Sequence, residues 1–234
     1  MGRAHEVRAK AMAATAAKRS ALFMRASQEI YMAAKSGEAD PEMNLALRSA
    51  IEKWRGQNVT KDVIDRAIQK AKGGSAEAYS AGRYEAFGPG GSLFIIDTLT
   101  DNSNRALVEV RSAVTKKGGH LGSTAFNFTE TGILSFKGNN RDEVEETLIL
   151  SDVDVREVTE EDGSIEVLVE PAAFGKARDV LADMGIKEFD VAEITFLPND
   201  PITLEDPEEK RKYDELCDML DELQDVQNVY TNVQ

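Results

Sequence analysis

The side chains best suited to chemistry in this sequence are cations crowded toward one end. Arg3, Arg8, Lys10, Lys18, Arg19 and Arg25 are opposed within their span by Glu6 alone. A polar, alanine-rich arm of this kind suits contacts to phosphates and to the shape of a nucleic-acid groove, without reading bases. Lys53, Arg55, Arg66, Lys70 and Lys72 extend the set along the following segments, where a solvated helix face accounts for them equally well.

Catalytic chemistry finds less support. Carboxylates are abundant, but none is bracketed by a His, Lys or metal-ligand pattern that would select an acid and a base. Cys217 is the single cysteine and lies in an acidic stretch. That excludes an intrachain disulfide framework and a cysteine-rich metal site, and it fits a reducing compartment. His5 and His120 have no metal-binding spacing. Gly88-Pro89-Gly90-Gly91 runs into the strand-like Ser92–Leu99. A phosphate cradle needs a helix start with Lys and Ser or Thr there, so the glycines read as a hairpin turn. The expectation is a non-enzymatic protein with no catalytic residues, no metal, no cofactor and no evident small-molecule substrate.

The net charge of -14 on 234 residues would by itself argue against a polyanionic partner. Its distribution reverses that for one end. Residues 1–75 carry 14 Lys and Arg against 8 Asp and Glu, residues 76–138 are balanced at 6 each, and residues 139–234 carry 8 against 28. A basic end on an acidic body points to polyanion binding by that end. The acidic remainder suits solubility, repulsion of nonspecific polyanions, or contact with a basic protein partner. A hydrophobic content of 41% supports a folded core. The apolar runs are far shorter than a bilayer span, so no membrane association is expected. The segment Ala11–Ala17 is too weakly apolar, and too soon interrupted by Lys18-Arg19, for a secretory core. A cytoplasmic protein is the simplest reading.

The elements that must position these groups follow from periodicity. Leu22, Ala26, Ile30 and Ala33 recur at helical spacing up to a stop at Gly37. Asp40-Pro41-Glu42 reads as the start of a second helix with Met43, Leu47, Ala50, Ile51 and Trp54 on one face. Thr60 reads as the cap of a third, with Val63, Ile64, Ala67, Ile68 and Ala71 inside and Gly73-Gly74 at its end. The connection between the second and third helices resembles a helix-turn-helix, but Asp62 and Asp65 would face acceptor-rich base edges, so a plain helical hairpin is preferred. From Arg83 onward, strand and helix signals alternate. The pattern predicts short strands at Phe126–Phe128 and Ile133–Phe136 around a Thr131-Gly132 turn, and a helix from Arg141 to Leu150. A last helix begins at Asp206-Pro207, and a strand covers Val226–Thr231. The fold class is α+β: a three-helix bundle followed by two ferredoxin-like α+β domains, one inserted in the other. The expected boundaries are an arm and bundle at 1–78, a βαββαβ central domain at 79–138 plus 200–234, and an acidic insertion at 139–199.

Several strings carry a resemblance. Glu29-Ile30-Tyr31, Ala33-Ala34-Lys35-Ser36-Gly37, Asp40-Pro41-Glu42-Met43-Asn44, Asp65 to Gly74, Arg83-Tyr84-Glu85-Ala86-Phe87-Gly88-Pro89-Gly90-Gly91, Asp101 to Arg105 and Val226-Gln227-Asn228-Val229-Tyr230-Thr231-Asn232 resemble the YebC/PmpR family nearly end to end. The resemblance implies a helical N-terminal domain and two α+β domains, one inserted in the other. It also implies a DNA-binding transcriptional regulator or, as with mitochondrial translational activators and bacterial members linked to ribosomes stalled on proline runs, a ribosome-associated factor contacting ribosomal RNA. Members often begin Gly-His-Ser-Lys-Trp, whereas this chain has Gly2-Arg3-Ala4-His5-Glu6-Val7 and lacks that tryptophan. The expected function is a nucleic-acid-binding regulator of gene expression acting on DNA or ribosomal RNA. The contrasting expectation is an acidic protein-interaction scaffold.

Overall fold

The computed structural model describes residues 3–73 and 79–234, with side chains from residue 18 onward in those ranges. The chain divides into two compact units, Met1–Thr124 with Ile202–Gln234, and Ala125–Pro201.

The first unit opens with a 33-residue helix, α1 (Arg3–Lys35), followed by α2 (Leu45–Gly56) and α3 (Lys61–Lys72). Twelve-residue helices are marginal alone, so packing must hold them. Ala26, Ile30 and Ala34 of α1, Leu47, Ile51 and Trp54 of α2, and Ile64, Ala67, Ile68 and Ala71 of α3 form one buried cluster. Two helix starts differ from the sequence expectation. Asn44, not Asp40, caps α2: its side chain accepts from the Leu47 N–H at 3.0 Å and donates to the Ala33 and Glu38 carbonyls at 2.9 Å. Asp40 instead accepts from the Glu42 N–H in a turn, and Met43 is 75% exposed. Thr60 sits at the α3 N-cap position without a side-chain cap bond. The expected end at Gly73 holds, while Gly74 lies outside the described residues.

The helices join a four-stranded antiparallel sheet in the same unit. Its strands are β1 (Ser80–Phe87), β2 (Leu93–Thr100), the two-residue β3 (His120–Leu121) and β8 (Val226–Thr231), in the order β3-β1-β2-β8. β1 and β2 form a hairpin through Pro89–Gly91, where Gly90 (φ 65°) and Gly91 (φ 82°) adopt the left-handed backbone that glycine tolerates. Helices α4 (Ser103–Lys116) and α7 (Pro207–Glu222) cover one face, packing Val110, Val114, Leu216 and Leu220 on Ala86, Phe94, Ile96 and Val226. The two-layer form matches the expectation, but the connection order is ββαβ followed by αβ rather than βαββαβ. The glycine turn joins the two central strands directly, leaving no crossover helix between them.

The second unit has the βαββαβ order. It comprises β4 (Phe128–Lys137), α5 (Arg141–Leu150), β5 (Val155–Glu161), β6 (Ser164–Val169), α6 (Phe174–Asp183) and β7 (Val191–Pro198), with sheet order β5-β6-β4-β7, all antiparallel. Leu134, Phe136, Ile165, Val167 and Val169 pack against Val144, Leu148, Ala177 and Leu181 of the helices. Two expectations change here. The residues read as two short strands around a Thr131-Gly132 turn form one continuous strand, because Gly132 pairs on both sides and admits the Phe174 side chain where a Cβ would collide at 2.9 Å. That strand belongs to this unit, whose start therefore lies at Ala125 rather than residue 139.

Candidate nucleic-acid interface

The expected cations separate into three groups. The side chains of Arg3, Arg8 and Lys10 lie outside those described, although their backbone is part of α1.

A second group is engaged within the first unit. The Arg25 side chain is only 11% exposed, and its Nη2 donates to the Asp221 carbonyl at 2.7 Å and the Leu220 carbonyl at 3.5 Å. Those carbonyls belong to the last turn of α7, where helices lack internal donors. Burial pulls the guanidinium below the usual arginine range, partly countered by Asp221. Arg25 is thus a structural tie, and its expected place in a phosphate-binding patch is corrected. Lys18 is 2.6 Å from Asp218, whose hydrogen bond holds the ammonium above the usual lysine range. Lys53 bonds Glu29 Oε2 at 3.0 Å, and its Nζ lies 5.0 Å from the centre of the Trp54 ring. Arg66 pairs with Asp62 one turn back, an exposed contact of small energetic weight.

A third group remains at the surface. Arg19 is exposed, with its guanidinium 5.3 Å from the centre of the Phe23 ring. Arg55 and Lys72 are exposed and hold no ion pair among the described residues. Lys70 places its Nζ 6.0 Å from the Tyr31 ring centre. Lys35, which is not among the cations expected from the sequence, approaches the same ring at 5.8 Å from the end of α1. The Tyr31–Lys35 spacing of four residues, one helical turn, was the available signal. The pairing with Lys70 depends on how α3 packs on α1.

Together these features define a helical N-terminal element with exposed cations, joined to two α+β units of which one is inserted in the other. The chain belongs to the TACO1/YebC family: residues 3–74 match the TACO1/YebC protein N-terminal domain, and residues 79–233 match the TACO1/YebC second and third domain. The protein named "Probable transcriptional regulatory protein Mfl546" from Mesoplasma florum is 48% identical over 234 residues, covering 99% of both chains. The crystal structure of the conserved hypothetical protein Aq1575 from Aquifex aeolicus superposes with a TM-score of 0.72 at 30% identity, covering 93% of this chain and 90% of that one.

Proposed function

We propose that this chain is a non-enzymatic regulator of gene expression that binds nucleic acid through α1 and the exposed cations of α2 and α3. The observation that carries the reading is charge segregation. Residues 1–75 hold 14 cations against 8 carboxylates, whereas Ala125–Pro201 holds 6 against 19. Arg19, Arg55 and Lys72 give that basic end accessible donors, and the Mesoplasma relative's name supports a transcriptional role. On this reading DNA is the first partner, in the cytoplasm, and phosphate contacts supply the affinity.

The overall charge of -14 favours a second reading. An acidic molecule resists nonspecific duplex binding, yet it tolerates docking in one orientation beside ribosomal RNA and basic ribosomal proteins. Mobility-shift titrations of duplex DNA and ribosomal RNA at several salt concentrations separate the two. Binding that weakens with salt supports the regulator, with the tighter partner naming its target. No salt-dependent binding to either overturns the reading and favours a protein scaffold.

A further inference from the structure

On the sheet face opposite α4 and α7, in the first unit, lies a cavity of about 440 Å³. Its walls include Glu29 of α1, Lys53 of α2, Arg83 of β1, Asp97 of β2, and Gln227 and Asn228 of β8. The volume is within the roughly 300–1,000 Å³ of small-molecule pockets. We propose that this cavity binds a nucleobase.

The argument begins with strand register. Arg83 stands directly opposite Asp97, and Asp97 directly opposite Asn228. Directly paired residues share a face, so a guanidinium, a carboxylate and a carboxamide form one row across three strands. Arg83 forks onto Asp97, Nε to Oδ1 at 2.7 Å and Nη2 to Oδ2 at 3.1 Å, fixing the row's orientation. Lys53 and Glu29 pair at 3.0 Å. The two cations and two carboxylates cancel, so the lining offers a phosphate or a free carboxylate no net attraction. A zwitterion fares no better, because each charged group already has its counter-ion.

What remains is hydrogen bonding around a partly apolar floor. Gln227 donates through Nε2 to Gln28 at 2.9 Å, leaving its Oε1 buried without a hydrogen-bond partner among the described residues. Asn228 contributes a donor and an acceptor from a half-buried position. Ala81 and Gly82 keep the floor short of side chains, and Leu99 adds an apolar surface. A neutral planar ring with apolar faces and alternating donors and acceptors on its edge matches this lining. Arg, Asn and Asp side chains pair base edges elsewhere through the same planar groups. The base comes either from a bound strand, which rests on the regulator reading above, or from a free nucleoside.

Trp54 is the single tryptophan and reports on the site, because its Nε1 donates to Glu29 Oε2 at 3.0 Å. The full-length protein is titrated with adenosine, guanosine, cytidine and uridine, with ribose as control, while Trp54 emission is followed. At least one nucleoside is expected to give a saturable change that ribose does not. Asn228→Leu, which removes the edge contacts, is expected to weaken it roughly five- to tenfold. Ala81→Leu, which fills the floor from an exposed position, provides a second and milder variant. Absence of a saturable change with every nucleoside, an equal response to ribose, or unchanged affinity in both folded variants overturns the proposal. Mobility shifts on the same preparations separate the sources. Nucleic-acid binding without nucleoside binding removes the base site and leaves the regulator reading intact. Nucleoside binding without nucleic-acid binding keeps the site, assigns it a free nucleoside and removes the regulator reading.

Discussion

Arg25 and Tyr213 show how burial redefines a side chain. Arg25 supplies donors to the last turn of α7, so Arg25→Met leaves the Leu220 and Asp221 carbonyls without them. The expected loss is about 1–3 kcal/mol, read as a lower melting temperature. The salt dependence of nucleic-acid binding should stay unchanged, and a shallower salt slope would return Arg25 to the phosphate-contacting set. Tyr213 packs on Phe94 at 5.7 Å between ring centres, and desolvation pushes its phenol from 10.0 up to about 12. The folded chain therefore keeps this proton where the unfolded chain has lost it. The resulting stability is intact below pH 10 and is lost as pH rises toward 12. Tyrosinate absorbance should show an ionisation step near pH 12, and Tyr213→Phe should remove that step. A titration with no step near pH 12, or one that Tyr213→Phe leaves unchanged, would contradict the burial.

At the scale of elements, the start of α2 is decided by Asn44. It closes the helix N-terminus and also satisfies the Ala33 and Glu38 carbonyls. Asn44→Ala is expected to cost about 1–3 kcal/mol, clearly more than Asp40→Ala, in chemical denaturation. The reverse ranking would restore the helix start suggested by Asp40-Pro41-Glu42. The sequence favoured that start because an acid before proline is a strong local signal. Nothing local reveals that Asn44 will be buried against the end of α1. The same limit explains β4: Thr131-Gly132 has turn chemistry, yet Gly132 is there because Phe174 and Val169 crowd its missing Cβ. Helices α5 and α7, by contrast, were legible to the residue or nearly so, since Val144 and Leu148 mark the buried face of α5 at helical spacing and Asp206-Pro207 caps α7 locally.

At the scale of the molecule, a unit of nearly balanced charge that carries the basic helical end and a strongly acidic unit share one chain. The 19 carboxylates set against 6 cations in Ala125–Pro201 make that unit self-repelling. Moderate salt is therefore expected to raise its stability, seen as slower amide exchange in β4 and β6, while it weakens nucleic-acid binding by the basic end. If exchange in those strands were to quicken with added salt, self-repulsion would not be what limits the unit. For the interface itself, the double substitution Arg55→Glu and Lys72→Glu should weaken binding and flatten its salt slope by about 2 if each cation meets one phosphate. An unchanged slope would move the interface away from α2 and α3.

Composition and periodicity alone determined the α+β class, the helical basic end, the acidic remainder and the family strings, because these depend on residue types and local spacing. Which cations stay at the surface was decided only by tertiary packing. Arg25 and Arg55 are the same residue type on helical segments of the same basic end, yet one is drawn onto carbonyls of α7 nearly two hundred residues away and the other faces solvent. The row of Arg83, Asp97 and Asn228 likewise arises from strand register across distant segments. Local sequence carries no record of register, since it is set by which hydrophobic faces find each other when the sheet closes.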